Sequence, residues 1–202
     1  GVTNELIDSF PTVKFGITLN IIPSYHETFL NTMFDNLWNE SFLPKISKNL
    51  YFVGINYYFA KDKTWKDVFN SSKLDFFSKN KTESDLGWPV DSQKINDSVV
   101  YVQKYAPNAE IWITENGLST ENDDTKCEFI KSHIDQVIQN PSIKRYYYWT
   151  LLDCWEWDYG KVVHFGLVKT IGKSKQRQKR NSFRSEEHTS ELQSRQYLVC
   201  RL

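Results

Sequence analysis

The chain lacks an excess of either charge sign: 25 basic residues stand against 25 acidic ones in 202, for a formal net charge of zero. Nucleic acid and anionic membrane surfaces select a basic excess, so neither is expected as the main partner. No run of about 18 apolar residues occurs, which leaves no candidate membrane span. Cysteine is scarce, and Cys127, Cys154 and Cys200 fall at irregular intervals that make neither a disulfide framework nor a metal-ligand spacing. The four histidines are scattered, and neither a metal nor a cofactor is implied. There is no Met at position 1. Gly1-Val2-Thr3 reads as the interior of a longer sequence, so a signal peptide stays an open question and a cytoplasmic location is the bare expectation. What is abundant is aromatic: 15% of residues, with seven Trp and eleven Tyr. Flat rings serve flat ligands as well as cores. The length suits one domain or part of a larger one.

Four short strands are predicted: Phe15–Asn20 (FGITLN), Phe52–Tyr58 (FVGINYY), Ile111–Glu115 (IWITE) and Tyr146–Leu152 (YYYWTLL). Each is a near-continuous β-branched or aromatic run, as expected for strands covered on both faces in a parallel sheet. Helical spacing links them. Asn31–Lys48 carries Phe34, Leu37, Trp38, Phe42 and Ile46, with Pro44 expected to break or kink it. Asp91–Tyr105 places Ile95, Val99, Val102 and Tyr105 on one side, with Asp91 or Ser92 as cap. Thr125–Gln139 places Phe129, Ile130, Ile134, Val137 and Ile138 on one face, and Asn140-Pro141 stops it. Strand alternating with helix implies β-α-β units and an α/β fold.

The strands end alike, in polar groups: Asn20, then Asn56 with Tyr58, then Glu115, then Asp153 and Glu156 just past the fourth. In parallel β/α folds ligands sit at the C-terminal ends of the strands, which gives a charged residue a reason to follow Ile111-Trp112-Ile113-Thr114. The polar, patternless stretch 60–87 reads as a site loop. The basic run 173–180 (KSKQRQKR) reads as a solvated turn or tail. Residues 184–202 (RSEEHTSELQSRQYLVCRL) resemble the in-frame translation of a common sequencing adapter, with Arg195–Tyr197 in the place of its index. They are expected to be a non-native, disordered tail, outside the fold of residues 1–183.

Three motifs in order, FVGINYY, ITENG and YWTLLDCWEWDYGKVVHFGLV, resemble glycoside hydrolase family 1, the retaining β-glucosidases and β-galactosidases. The resemblance covers roughly 15–183. The stretch LWNESFLPKISKNLYFVGINYYF looks closest to the compact bacterial members. It implies the C-terminal half, about four β/α units, of a (β/α)8 barrel. It also implies a hydrolase that opens β-glycosides through a covalent glycosyl-enzyme. Such an enzyme needs two carboxyl groups about 5–5.5 Å apart. Glu115 matches the nucleophile, and Tyr58 the phenol that hydrogen-bonds it. Asn56 matches a polar group beside the cleft. Trp149 matches the platform under the sugar, Glu156 and Trp157 the partners of its outer hydroxyls, and Trp88 an aromatic at the aglycone entrance. Tyr146 and Tyr147 read as packing and His164 as a structural hydrogen-bonder, while Trp155 is open between core and site wall.

Members acting on 6-phosphorylated glycosides are expected to carry Ser where Glu156 stands, with Lys and Tyr shortly after. The implied partner is therefore a non-phosphorylated β-glucoside or β-galactoside, as a small oligosaccharide or aryl glycoside, with glycone preference open. The sequence departs from the family pattern at Cys154 and Trp155, where Asn and Phe are usual. GWPVDSQKI lacks the usual Pro-x-Gly, and IIPS lacks an expected Trp. The Asn-Glu-Pro that supplies the acid/base is not found; the nearest match, Asn39-Glu40-Ser41, falls in a helical stretch. The 202 residues by themselves are therefore expected to be inactive or nearly so. A non-catalytic carbohydrate-binding relative is the alternative reading.

Overall fold

The computed structural model describes residues 2–24, 29, 32–33, 42–46, 49–60, 84–172 and 176–183. Most of the predicted helix 31–48, of the loop 60–87 and all of the tail 184–202 lie outside the described residues. Helix α1 (Val2–Ser9) leads to β1 (Gly16–Asn20), the short α2 (Leu43–Ile46) and β2 (Phe52–Asn56). Then come α3 (Ile95–Tyr105), β3 (Glu110–Asn116), α4 (Asp123–Gln139), β4 (Ile143–Tyr148), β5 (Val168–Ile171) and β6 (Gln176–Lys179). The first four strands form one sheet in the order β1-β2-β3-β4, all neighbours parallel. Parallel neighbours need a crossover between them, and α3 and α4 provide it for β2-β3 and β3-β4.

One face of this sheet is core. Val53, Ile55, Ile111, Ile113 and Ile143 are almost fully buried, as are Ile95, Val99 and Val102 of α3 and Phe129, Ile130 and Ile134 of α4. Full burial of one such side chain contributes about 1.5–3 kcal/mol. The opposite face is not covered in the same way. Thr18, Phe52, Trp112, Thr114 and Tyr147 line a cleft there, and β1 alternates exposed and half-buried residues. Threonines and large aromatics alternate with the core positions along these strands, and the side-chain period of two keeps them on the cleft face.

Boundaries moved for local reasons. β4 begins at Ile143 and stops at Tyr148, earlier at both ends than expected. Its exposed Arg145 stays in the ladder with its guanidinium 4.6 Å over the Trp112 ring. α3 starts at Ile95 after Lys94, with no side-chain cap; Asp91 Oδ1 instead accepts from Gln93 N. α4 starts at Asp123 because Asn122 Oδ1 accepts from the backbone N–H groups of Asp124 and Thr125. Ile138, expected on the apolar face, is 47% exposed. The basic run 173–180 is not simply a turn or tail: Gln176–Lys179 is strand β6, antiparallel to β5. It ends in a buried Arg180, whose Nη1 and Nη2 donate to Glu121 and Asp153, each at 3.0 Å.

Candidate active site

A break in strand register makes the site. Ile55 pairs with Ile113, but Asn56 pairs with Glu115, so Thr114 is an extra residue on β3. A second irregularity against β4 falls between Ile113 and Asn116. Bulges re-aim the side chains that follow them. Here Thr114 and Glu115 both reach the cleft, which plain alternation would forbid. Asn116, fully buried, then locks the strand end. Its Nδ2 donates to Tyr57 O at 2.7 Å, and its Oδ1 accepts from Tyr146 Oη at 2.8 Å. Gly117 follows with Trp149 O so close that a Cβ would stand 1.9 Å from it. Trp149 N donates to Asn116 O at 2.9 Å, which brings the segment after β4 beside Glu115. The Trp149–Thr150 peptide is cis.

Tyr58, just past β2, donates its phenol proton to Glu115 Oε2 at 2.7 Å. Burial, then the charge of Glu115 and its hydrogen bond, push the Tyr58 pKa far up, so the phenol remains a donor. Asn56 Oδ1 accepts from Thr114 Oγ1 at 2.8 Å. Trp88 is delivered by a turn in which Ser84 Oγ accepts from Leu86 N and Trp88 N. Its ring meets Tyr58 edge-on at 5.8 Å. Trp149 lines the same cleft as Glu115 and donates from Nε1 to Glu156 Oε1 at 3.0 Å. The structure therefore brings Asn56, Tyr58, Trp88 and Glu115 together, and Glu156 to Trp149. It sets Trp157 apart at 93% exposure, and Trp155 is 69% exposed. Tyr146 is packed in the core, and His164 Nε2 lies 3.0 Å from Glu121 Oε1.

Three site residues were not singled out from sequence. Phe165 stands edge-on to Tyr58 and 6.0 Å from Trp88. Thr114 enters by the bulge. Cys154, noted only as a departure, donates from Sγ to Glu156 Oε1 at 3.3 Å. Burial, then that hydrogen bond, raise its pKa to about 11, so it is a thiol donor at neutral pH. Only the last left a sequence signal. Among the described residues no group of three or more His, Cys, Asp or Glu is placed to hold a metal ion.

The cleft measures about 770 Å³, within the ~300–1,000 Å³ typical of small-ligand sites. It offers a carboxylate with one oxygen held by a phenol, and an indole whose Nε1 donates to a second carboxylate, Glu156. Together with a parallel sheet carrying its polar residues at the C-terminal strand ends, this defines a partial α/β barrel of the glycosidase type. The chain belongs to glycosyl hydrolase family 1, whose family model matches residues 24–195. It is 28% identical over 142 residues to a 1,4-β-D-glucan glucohydrolase of Thermotoga neapolitana, covering 64% of this chain and 33% of that protein. It is 26% identical over 199 residues to a 6-phospho-β-glucosidase of Bacillus subtilis, covering 81% and 42%. The solved family 1 β-glucosidase from Thermotoga maritima superposes with a TM-score of 0.78 at 20% identity, covering 98% of this chain and 54% of that one. The chain thus spans about a third of the length of the first curated relative and about half of the solved barrel.

Proposed function

We propose that this chain is the nucleophile-bearing half of a retaining β-glycosidase that hydrolyses non-phosphorylated β-glucosides or β-galactosides. The observation that carries the reading is the hydrogen bond from Tyr58 to Glu115, a residue that lines the cleft. The phenol occupies Oε2 and leaves Oε1 for attack. In the first step Glu115 Oε1 forms a bond to the anomeric carbon as the glycosidic C–O bond breaks. The departing oxygen takes a proton from a second carboxyl group, and water later releases the sugar from Glu115. That second carboxyl belongs to a part of the barrel outside these residues. Positioned proton transfer is worth about 10²–10⁴-fold, so the 202 residues by themselves are expected to turn over little or no substrate.

Glu156 argues for the unphosphorylated sugar. Its Oε1 accepts from both Trp149 Nε1 and Cys154 Sγ, and we take this carboxylate to meet the outer hydroxyls of the sugar, where a phosphate dianion would bring like charge. The Bacillus relative named above acts, by its name, on 6-phosphorylated glucosides, so the two substrate classes must be compared directly. The test is a 2-deoxy-2-fluoro-β-glucoside with a dinitrophenolate leaving group, which departs without a proton. With the chain extended to the eight-stranded barrel, peptide mass mapping is expected to find the adduct on Glu115. An adduct elsewhere, or none, overturns the reading. Faster turnover of the 6-phosphoglucoside than of the glucoside overturns the substrate assignment alone.

A further inference from the structure

The wall behind Tyr58 is gripped by a side chain that the proposed chemistry does not use. Lys126, in the first turn of α4, is 0% exposed, although lysine is among the residues least often fully buried. Its Nζ donates to His164 O at 2.6 Å and to Gly166 O at 3.1 Å. These carbonyls lie on either side of Phe165. The rest of the segment is held as well: His164 N donates to Ser119 Oγ, Gly166 N to Asp153 Oδ1, and Tyr148 Oη to Phe165 O. The Phe165 ring stands edge-on to Tyr58 at 6.0 Å. It also lies close enough to Gly117 that a Cβ there would be 3.4 Å from Cδ1. A ring so placed can fix a phenol only if its own backbone is fixed.

We propose that Lys126 is a positioning residue: by gripping the carbonyls that flank Phe165, it holds the ring that keeps the Tyr58 phenol on Glu115. Thr120 N also donates to His164 O, but among the described residues only the lysine spans both carbonyls. Charged and titratable groups face it from every side: Asp123 on α4, Glu121 before it, Asp153 and His164 after β4, and Arg180 after β6, with Lys169 paired to Glu121. Burial first, and then Arg180, push the Lys126 pKa down to about 7 against the pull of Asp153, Asp123 and Glu121. The ammonium is therefore complete below that pH and lost as pH rises through it.

The proposal rests on the glycosidase reading for its consequence, while its test involves no sugar. The full chain is labelled with [¹³Cζ]tyrosine, and the Tyr58 signal is identified by its loss in Tyr58→Phe. Lys126→Met keeps the length and loses both donors, and it is expected to displace the signal. Lys126→Arg, which keeps donors and charge, is expected to return the signal toward its parental position. An unmoved signal in Lys126→Met, or the same displacement in Lys126→Arg as in Lys126→Met, overturns the proposal. Should Lys126→Met fail to fold, Phe165→Leu decides it, because an unmoved Tyr58 signal there removes the ring through which the lysine is said to act. Failure here leaves the glycosidase reading standing, and failure to label Glu115 leaves this contact standing.

Discussion

Gly117→Ala isolates the backbone contact that joins β3 to the segment after β4. The φ of Gly117 is not among the positive ones, which belong to Gly87, Gly160 and Gly172, so the substitution carries no conformational strain of its own. Its cost is steric. The new Cβ would stand 1.9 Å from Trp149 O, against the 3.0 Å below which real contacts essentially never fall, so about 1.1 Å must be found. Neither side yields freely. Trp149 N is bonded to Asn116 O, Thr150 O accepts from Leu167 N, and Leu118 is 3% exposed. Forcing an extra carbon into packed surroundings costs about 1–3 kcal/mol, occasionally more, and a contact with backbone on both sides belongs at the upper end. With a urea m-value of about 1–3 kcal/mol/M, the unfolding midpoint should fall by about 1–3 M. The assay is urea unfolding of the chain by far-ultraviolet circular dichroism, with Gly172→Ala as comparator. Gly172 has φ +57° and nothing within 4 Å of its Cβ, so that change carries only the left-handed backbone cost of about 1–2 kcal/mol. A Gly117→Ala midpoint within about 0.2 M of the parent would refute the packing argument.

Further expectations concern single side chains. Tyr58→Phe removes a hydrogen bond to a carboxylate, worth about 1.5–3 kcal/mol, and in the complete barrel should lower kcat by about 10–100-fold; steady-state kinetics on an aryl β-glucoside measures it. His133 is 0% exposed, and its Nδ1–H donates to Phe129 O while Nε2 has no partner. Burial lowers its pKa from 6.5 to about 4, so the neutral ring is favoured in the fold. Its contribution is present above about pH 6.5 and is lost as pH falls toward 4, by about 3 kcal/mol in all. His133→Leu should flatten stability over that window in urea melts at pH 7, 5.5 and 4. Asn122→Ala should cost about 1 kcal/mol by uncapping α4, read as a lower melting temperature with α4 amides exchanging faster at its first turn.

The sequence by itself determined the class of fold, because strand and helix periods are local properties. The runs at FGITLN, FVGINYY and IWITE needed only their own residues to read as strands. Helix α4 showed its apolar stripe at Phe129, Ile130, Ile134 and Val137, all buried. It also placed polar groups at strand ends, and by motif set Glu115 and Tyr58 in one site, 57 positions apart in the chain and 2.7 Å apart in the fold. What only the tertiary structure decided depends on partners distant in sequence. The bulge at Thr114 is a relation between two strands, and no pattern in either one announces it. The pairing of β6 draws its stability from β5 rather than from the composition of KSKQRQKR. Lys126 and Arg180 read as surface charges from their type, yet each is buried because carbonyls or carboxylates 27 to 59 residues away meet its donors. Burial of a charge is decided by what surrounds it in space, and a linear pattern records only neighbours along the chain.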